Sequence, residues 1–234
     1  MLPLKDLNRS STTPHVTRLL LVANIIVFIV YWSSVYNVLF GGALVGSMDK
    51  EFVMLPSEIV QGQRLYTLFT SMFMHDTSSF GAGVLHIFGN MLYLFIFGDN
   101  VEDAFGHVSF LFFYLVCGVA ADFAHIMSLV YFPVSNGFNI GVLGASGAIS
   151  GVLGAYVVLY PRARILTLVT YVILPLPAIL FLGIWFAMQF LYVLFGISAG
   201  IAYGAHIGGF IAGMILAFVV GRRRKRARDA RMRL

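Results

Sequence analysis

Ser146 stands in the tetrapeptide Gly144-Ala-Ser-Gly147, at the start of an apolar, glycine-rich segment that runs to Tyr160. A serine hydroxyl becomes a nucleophile only when a base takes its proton, and histidine has a pKa suited to that task. His206 lies in a second apolar stretch far along the chain, and His86 and Asn90 lie four residues apart in a third. On a helix that spacing puts the imidazole and the carboxamide on one face. Together with the backbone N–H of Ser146, they are donors of the kind that stabilise negative charge on an attacked carbonyl oxygen. The apolar stretches around Ser146 and His206 carry no acid. The economical chemistry is therefore a Ser–His dyad, with Asp122 the one intramembrane candidate for a third member. The tetrapeptide is not the nucleophile elbow of soluble hydrolases, because position 148 is alanine and no strand is predicted before the serine.

The elements that must position these groups are membrane helices. The chain has 234 residues, 59% hydrophobic and 11% charged, which excludes an ordinary soluble globule and predicts an all-α polytopic membrane protein. Six spans are predicted, at 17–38, 82–97, 108–127, 146–160, 176–195 and 197–220. The predicted organisation is a polar, loosely held cytoplasmic arm at 1–16, a six-helix transmembrane domain at 17–221 and a basic cytoplasmic tail at 222–234. The tail and the Arg162/Arg164 pair then share the cytoplasmic side, as the positive-inside rule requires. Directly after a span, such a tail sets orientation rather than binding nucleic acid.

Spans two, four and six run from outside to inside, so His86, Ser146 and His206 fall at similar depth. At helical rise, residues 146–160 cover about 22 Å of a bilayer core about 30 Å thick. Ser146 is thus expected inside the membrane slab, reached by a loop that dips in. Glycines at 147, 151 and 154, and at 200, 204, 208, 209 and 213, predict close approach of spans four and six. The connection 39–80 carries an amphipathic pattern at Leu65, Leu68, Phe69, Met72 and Phe73 and is expected to be partly embedded. Arg64 is expected to pair with Glu58 or to face water. Asp122 and His125, three apart near the end of span three, are read as a buried ion pair or a proton relay, the structural pair being the commoner case. Residues 167–174 either extend span five or lie at the interface. Span five, with Pro175 and Pro177 at its base, is the expected mobile wall, and the loop 196–200 a lid. The lone Cys117 allows no internal disulfide.

With these pieces in place the chain resembles the rhomboid intramembrane serine proteases. The resemblance rests on His86-Ile-Phe-Gly-Asn90, Gly144-Ala-Ser-Gly147, and Ala205-His206 followed by Gly209 and Gly213. It implies a six-helix rhomboid-like bundle with a partly embedded first loop. It implies Ser146 as nucleophile, His206 as general base, and His86 with Asn90 as oxyanion-stabilising side chains. No cofactor or metal is implied. The implied partners are the lipid bilayer and single-span or polytopic membrane proteins, cleaved in or near their transmembrane segments. The chain departs from the family pattern at three places. Gln63-Arg64 stands where Trp-Arg is usual, the spacing from His75 to His86 is long, and Ser150 replaces an aromatic four residues after the serine. The long spacing is expected to displace His75 and Asp76 from any supporting role. A ring against His206 has to come from elsewhere. An inactive rhomboid-like binder of membrane proteins and a small transporter stay open as alternatives. The expected location is a prokaryotic plasma membrane, with both termini cytoplasmic.

Overall fold

The computed structural model describes residues 1–35, 51–197 and 200–231. The expected end of span one at 36–38, the first part of the connection at 39–50, positions 198–199 of the expected lid and the tail residues 232–234 lie outside the described residues. The elements in order are β1 (Leu2–Asp6), α1 (His15–Val35), α2 (Pro56–Val60), α3 (Thr67–Thr70), α4 (Phe80–Phe105), α5 (His107–Tyr131), α6 (Ser146–Leu159), β2 (Arg164–Val169), β3 (Val172–Pro177), α7 (Ala178–Leu194), α8 (Tyr203–Leu216) and α9 (Arg222–Arg231).

Four helices are long and apolar enough to cross a membrane: His15–Ser34, Phe80–Phe105, His107–Tyr131 and Tyr203–Arg228, the last joining α8 to α9. The other two predicted spans are shorter apolar helices, Ser146–Leu159 and Ala178–Leu194. The short α6 sits in the centre, with ten of its 14 residues buried. Protein rather than lipid surrounds it, so its length need not match the bilayer.

Small residues set this packing. A Cβ built at Gly147 would press on Ala121, one at Gly151 on Cys117, and one at Gly154 on the Phe210 carbonyl. The glycines of α8 divide between two neighbours. Gly209 and Gly213 lie against the Gly147 and Gly151 carbonyls of α6, whereas Gly204 and Gly208 lie against Ser128 and Ala124 of α5. Gly200 precedes the helix and takes part in neither contact, so of the five glycines expected to face span four only Gly209 and Gly213 do.

α4 runs on to Phe105, past the expected end of span two at 97 and through Asp99, Glu102 and Asp103, and Gly106, at φ 80°, makes the turn into α5. Only a residue tolerant of the left-handed region fits that joint. The acids do not break the helix because each has partners. Glu102 accepts the N–H groups of Val16 (2.9 Å) and Thr17 (2.7 Å) and the Thr17 hydroxyl (2.7 Å), so it caps the start of α1. Asp103 accepts the hydroxyls of Ser11 (3.0 Å) and Thr12 (2.7 Å) and pairs with Arg228 at 2.5 Å.

The amino-terminal arm is therefore not loosely held. Its β1 pairs antiparallel with β2, which pairs with β3 in a three-stranded sheet. Residues 167–174 form most of the β2–β3 hairpin rather than helix, and Ile165 of β2 is fully buried in the core. Asp6 accepts from the Tyr156 hydroxyl (2.6 Å) and the Asn100 amide (2.8 Å). β1 and α9 thus dock at the same end of the bundle, around the last turns of α4.

Candidate active site

α6 begins at Ser146, two residues after Gly144, whose φ of 119° lets the backbone pass under His86. A Cβ at position 144 would lie 3.0 Å from His86 Nε2 and 3.7 Å from Ser146 Oγ. The hydroxyl is thus set at a helix N-terminus, where the first N–H groups have no intrahelical partner. His206 is the fourth residue of α8, beside Ala205 and one turn before Gly209. The close α6–α8 approach brings its Nε2 to 2.8 Å from Ser146 Oγ.

His86 and Asn90 sit on α4 facing the same cavity of about 1270 Å³, which Ser146, Asp122, Trp185 and His206 also line. Asn90 is buried, and its Nδ2 has no hydrogen-bond partner among the described residues. The His75 ring packs edge-on against His86 at 5.2 Å and is fully buried, its Nδ1 3.3 Å from the Phe73 carbonyl. The long sequence spacing does not displace it, because 74–79 loops back over the start of α4. Trp185 of α7 supplies a ring 5.9 Å from His206, at 33°. Ser150 instead turns back to bond the Ser146 carbonyl at 2.6 Å.

Two expectations about acids fail. Asp122 and His125 do not bond each other; Asp122 Oδ2 and His125 Nδ1 are both without partners among the described residues. Nor is Asp122 the third member beside His206. The Nδ1 of His206 lies 2.9 Å from Oε1 of Gln189 on α7, a residue not singled out in the sequence. Its one signal there is a lone polar side chain in an apolar helix, four residues after Trp185. Arg64, the other open case, pairs with Glu58 at 2.6 Å. Among the described residues no group of three or more His, Cys, Asp or Glu side chains is arranged to hold a metal ion.

A helical membrane protein that holds a serine, a histidine and two amide or imidazole donors around one cavity is a narrow class. The Rhomboid domain family matches residues 62–223, more than half of the chain, and the chain belongs to that family. It is similar to the Rhomboid protease GlpG of Haemophilus influenzae, 32% identical over 145 residues that cover 60% of this chain and 65% of that protein. It is also similar to Rhomboid protein 1, mitochondrial, of Saccharomyces cerevisiae, 31% identical over 155 residues, 63% of this chain and 41% of that protein. A third relative is RHOMBOID-like protein 6, mitochondrial, of Arabidopsis thaliana, 35% identical over 98 residues, 42% of this chain and 27% of that protein. The chain thus covers less than two thirds of the length of each. The protein is an integral membrane protein. Its relatives include mitochondrial, plant and bacterial proteins, and the expectation of a prokaryotic plasma membrane gains no support from them.

Proposed function

We propose that this protein is an intramembrane serine endopeptidase whose Ser146–His206 dyad hydrolyses peptide bonds in or near transmembrane segments of other membrane proteins. The observation that carries the reading is the 2.8 Å contact between Ser146 Oγ and His206 Nε2 at the N-terminus of a short, protein-enclosed helix. At that distance the imidazole accepts the serine proton as the oxygen attacks a carbonyl carbon. Negative charge then develops on the carbonyl oxygen. The donors at hand are the Ser146 N–H, the unpartnered Asn90 amide and the His86 ring. The protonated His206 next gives its proton to the leaving amine, and water takes the serine's place in the second half-reaction.

In this reading the six apolar helices are six spans, in one domain at 17–221. The arm and the basic tail lie in the cytoplasm. Docking of β1 and α9 at one end of the bundle supports that placement of both.

The test is cleavage of a single-span substrate, with a small residue near its outer end, by wild type, Ser146→Ala and His206→Ala in liposomes. Cleavage by wild type and by neither variant is expected. Equal cleavage by Ser146→Ala sinks the mechanism. No cleavage by a folded wild type, across several substrates, turns the reading toward a non-catalytic binder or a transporter.

A further inference from the structure

His206 has two ring nitrogens, and only one can face Ser146 as a base. If Nε2 is to accept the serine proton, the neutral ring must carry its own proton on Nδ1. Something must hold that proton, and it is not a carboxylate. The titratable groups on the elements around the ring are Asp76 just before α4, His86 on α4, Asp122 and His125 on α5, Tyr192 on α7, and Tyr203 on its own helix. None of them bonds Nδ1, whose partner is the side chain of Gln189 at 2.9 Å.

A second contact favours one orientation of the Gln189 amide. Its Nε2 lies 3.4 Å from the Trp185 carbonyl, one turn back on α7. Turning the amide over would set two carbonyl oxygens face to face and leave the amide N–H pointing at Nδ1. The buried oxygen therefore faces His206 and accepts from Nδ1–H. Gln189 is buried although most of the α7 surface around it is exposed. Trp185 and Gln189, four residues apart, both meet the same imidazole, one through a tilted ring and one at its nitrogen.

We propose that Gln189 is the positioning residue of the general base. Its side-chain carbonyl holds His206 in the Nδ1–H form, and because α7 carries it, the base is set only while α7 is docked on α8. The proposal rests on the reading of Ser146 and His206 as a dyad. The three groups come from three different helices, α6, α7 and α8. Displacement of α7 therefore widens the cavity and withdraws the acceptor in one movement.

The test compares full-length wild type, Gln189→Met and Gln189→Glu in lipid nanodiscs. The first readout is the rate of Ser146 labelling by a fluorophosphonate across pH, with cleavage kinetics alongside. The second is the ¹⁵N spectrum of the His206 ring, assigned by difference from His206→Ala. Loss of one neutral hydrogen bond predicts about tenfold slower labelling in Gln189→Met. Its cleavage kcat falls with KM little changed, and its ring becomes a mixture of tautomers. Gln189→Glu keeps the acceptor and adds a negative charge that favours imidazolium. Its labelling is retained, with the pH limb moved upward. Equal labelling and one unchanged tautomer in Gln189→Met overturn the proposal. If Gln189→Met does not fold, an unmoved pH limb in Gln189→Glu overturns it instead. A wild type that neither labels nor cleaves defeats the protease reading, while the ring-nitrogen spectra still decide the role of Gln189.

Discussion

The 2.8 Å reach from His206 to Ser146 depends on bare backbone between α6 and α8, so Gly209→Ala is a sharp perturbation of it. A Cβ at position 209 runs into the carbonyl oxygen of Gly147, lies 3.0 Å from its carbon and 3.4 Å from Ala121 Cβ. Backbone cannot swing aside as a side chain can. An ordinary carbon–oxygen contact is about 3.3 Å, so the two helices have to part by roughly 1 Å at this level. Gly147 follows Ser146 directly and Gly209 is one turn from His206, so the displacement reaches the dyad almost undiminished. The hydrogen bond then passes the ~3.5 Å beyond which it ceases to count. A 1 Å misplacement of reacting groups costs about a hundredfold in rate. The assay is fluorophosphonate labelling of Ser146 in Gly209→Ala, with Gly183→Ala as control, since a Cβ at 183 meets nothing within 4 Å. A fall of about thirtyfold to a hundredfold is expected for Gly209→Ala and none for Gly183→Ala. Thermal unfolding separates lost geometry from lost fold. A folded Gly209→Ala that labels at the wild-type rate refutes the argument that backbone contact sets the dyad.

The opposite end of the bundle yields two further predictions. Burial pushes the Asp6 carboxyl up from 3.8 to about 6, outweighing the bonds from the Tyr156 hydroxyl and the Asn8 N–H. The folded protein thus binds that proton more tightly than the unfolded chain. The resulting stability is full below about pH 4 and is lost as the pH rises through 6. Allowing for the partial exposure of Asp6, the change is about 1 to 2 kcal/mol. Unfolding midpoints of wild type and Asp6→Asn between pH 4 and 7 should diverge across that window, and parallel curves contradict the assignment. Glu102→Ala leaves the Val16 and Thr17 N–H groups and the Thr17 hydroxyl without their acceptor. A loss of about 2 to 4 kcal/mol is expected, and an unchanged unfolding midpoint excludes Glu102 as the cap of α1.

The central helix was the most legible part of the sequence. Gly144 before it and Pro161 after it bracket a run whose start at Ser146 the structure reproduces, with its end one residue earlier at Leu159. Glycine spacing likewise announced a close approach of α6 and α8, although it did not reveal that α8 serves two neighbours at once. What stayed hidden depends on partners distant in sequence. Residues 98–105 fall outside the predicted span because the hydroxyls, N–H groups and arginine that satisfy their acids come from the two ends of the chain. The Leu2–Asp6 strand carries no alternation of its own; its order comes from pairing with β2. Gln189 was missed for a related reason. A neutral amide in an apolar helix signals a hydrogen bond but not its recipient, and the usual third member is a carboxylate.

Helix register sets Ser146 well below the end of α5. A Cβ at Gly147 meets Ala121 and one at Gly151 meets Cys117, so α5 and α6 run antiparallel with these residues level. From Ala121, α5 continues to Tyr131, about 15 Å further at helical rise. α6 has nothing above Ser146, so the chain must descend that distance as irregular backbone. Such backbone is tolerated at membrane depth only where its polar groups are paired. Here the pairing comes from the segment after the first span. Met54 and Val142 exchange two backbone bonds, at 3.1 and 2.8 Å, and the Gly144 N–H donates to the Ser71 carbonyl at 2.9 Å. That explains why an apolar connection folds against the bundle: it is the wall that lets the loop dip. On the other side of the cavity stands α7, which buries only Ala178, Phe181, Leu182 and Gln189. Three of these lie in its first five residues. Beyond them the helix is held over the site by the Gln189 bond and by the rings of Trp185 and Phe186, which lie 6.0 and 4.6 Å from Phe210. On the protease reading proposed above, a substrate segment approaching sideways would meet its weakest barrier at α7, with the Gln189–His206 bond as the polar contact to break.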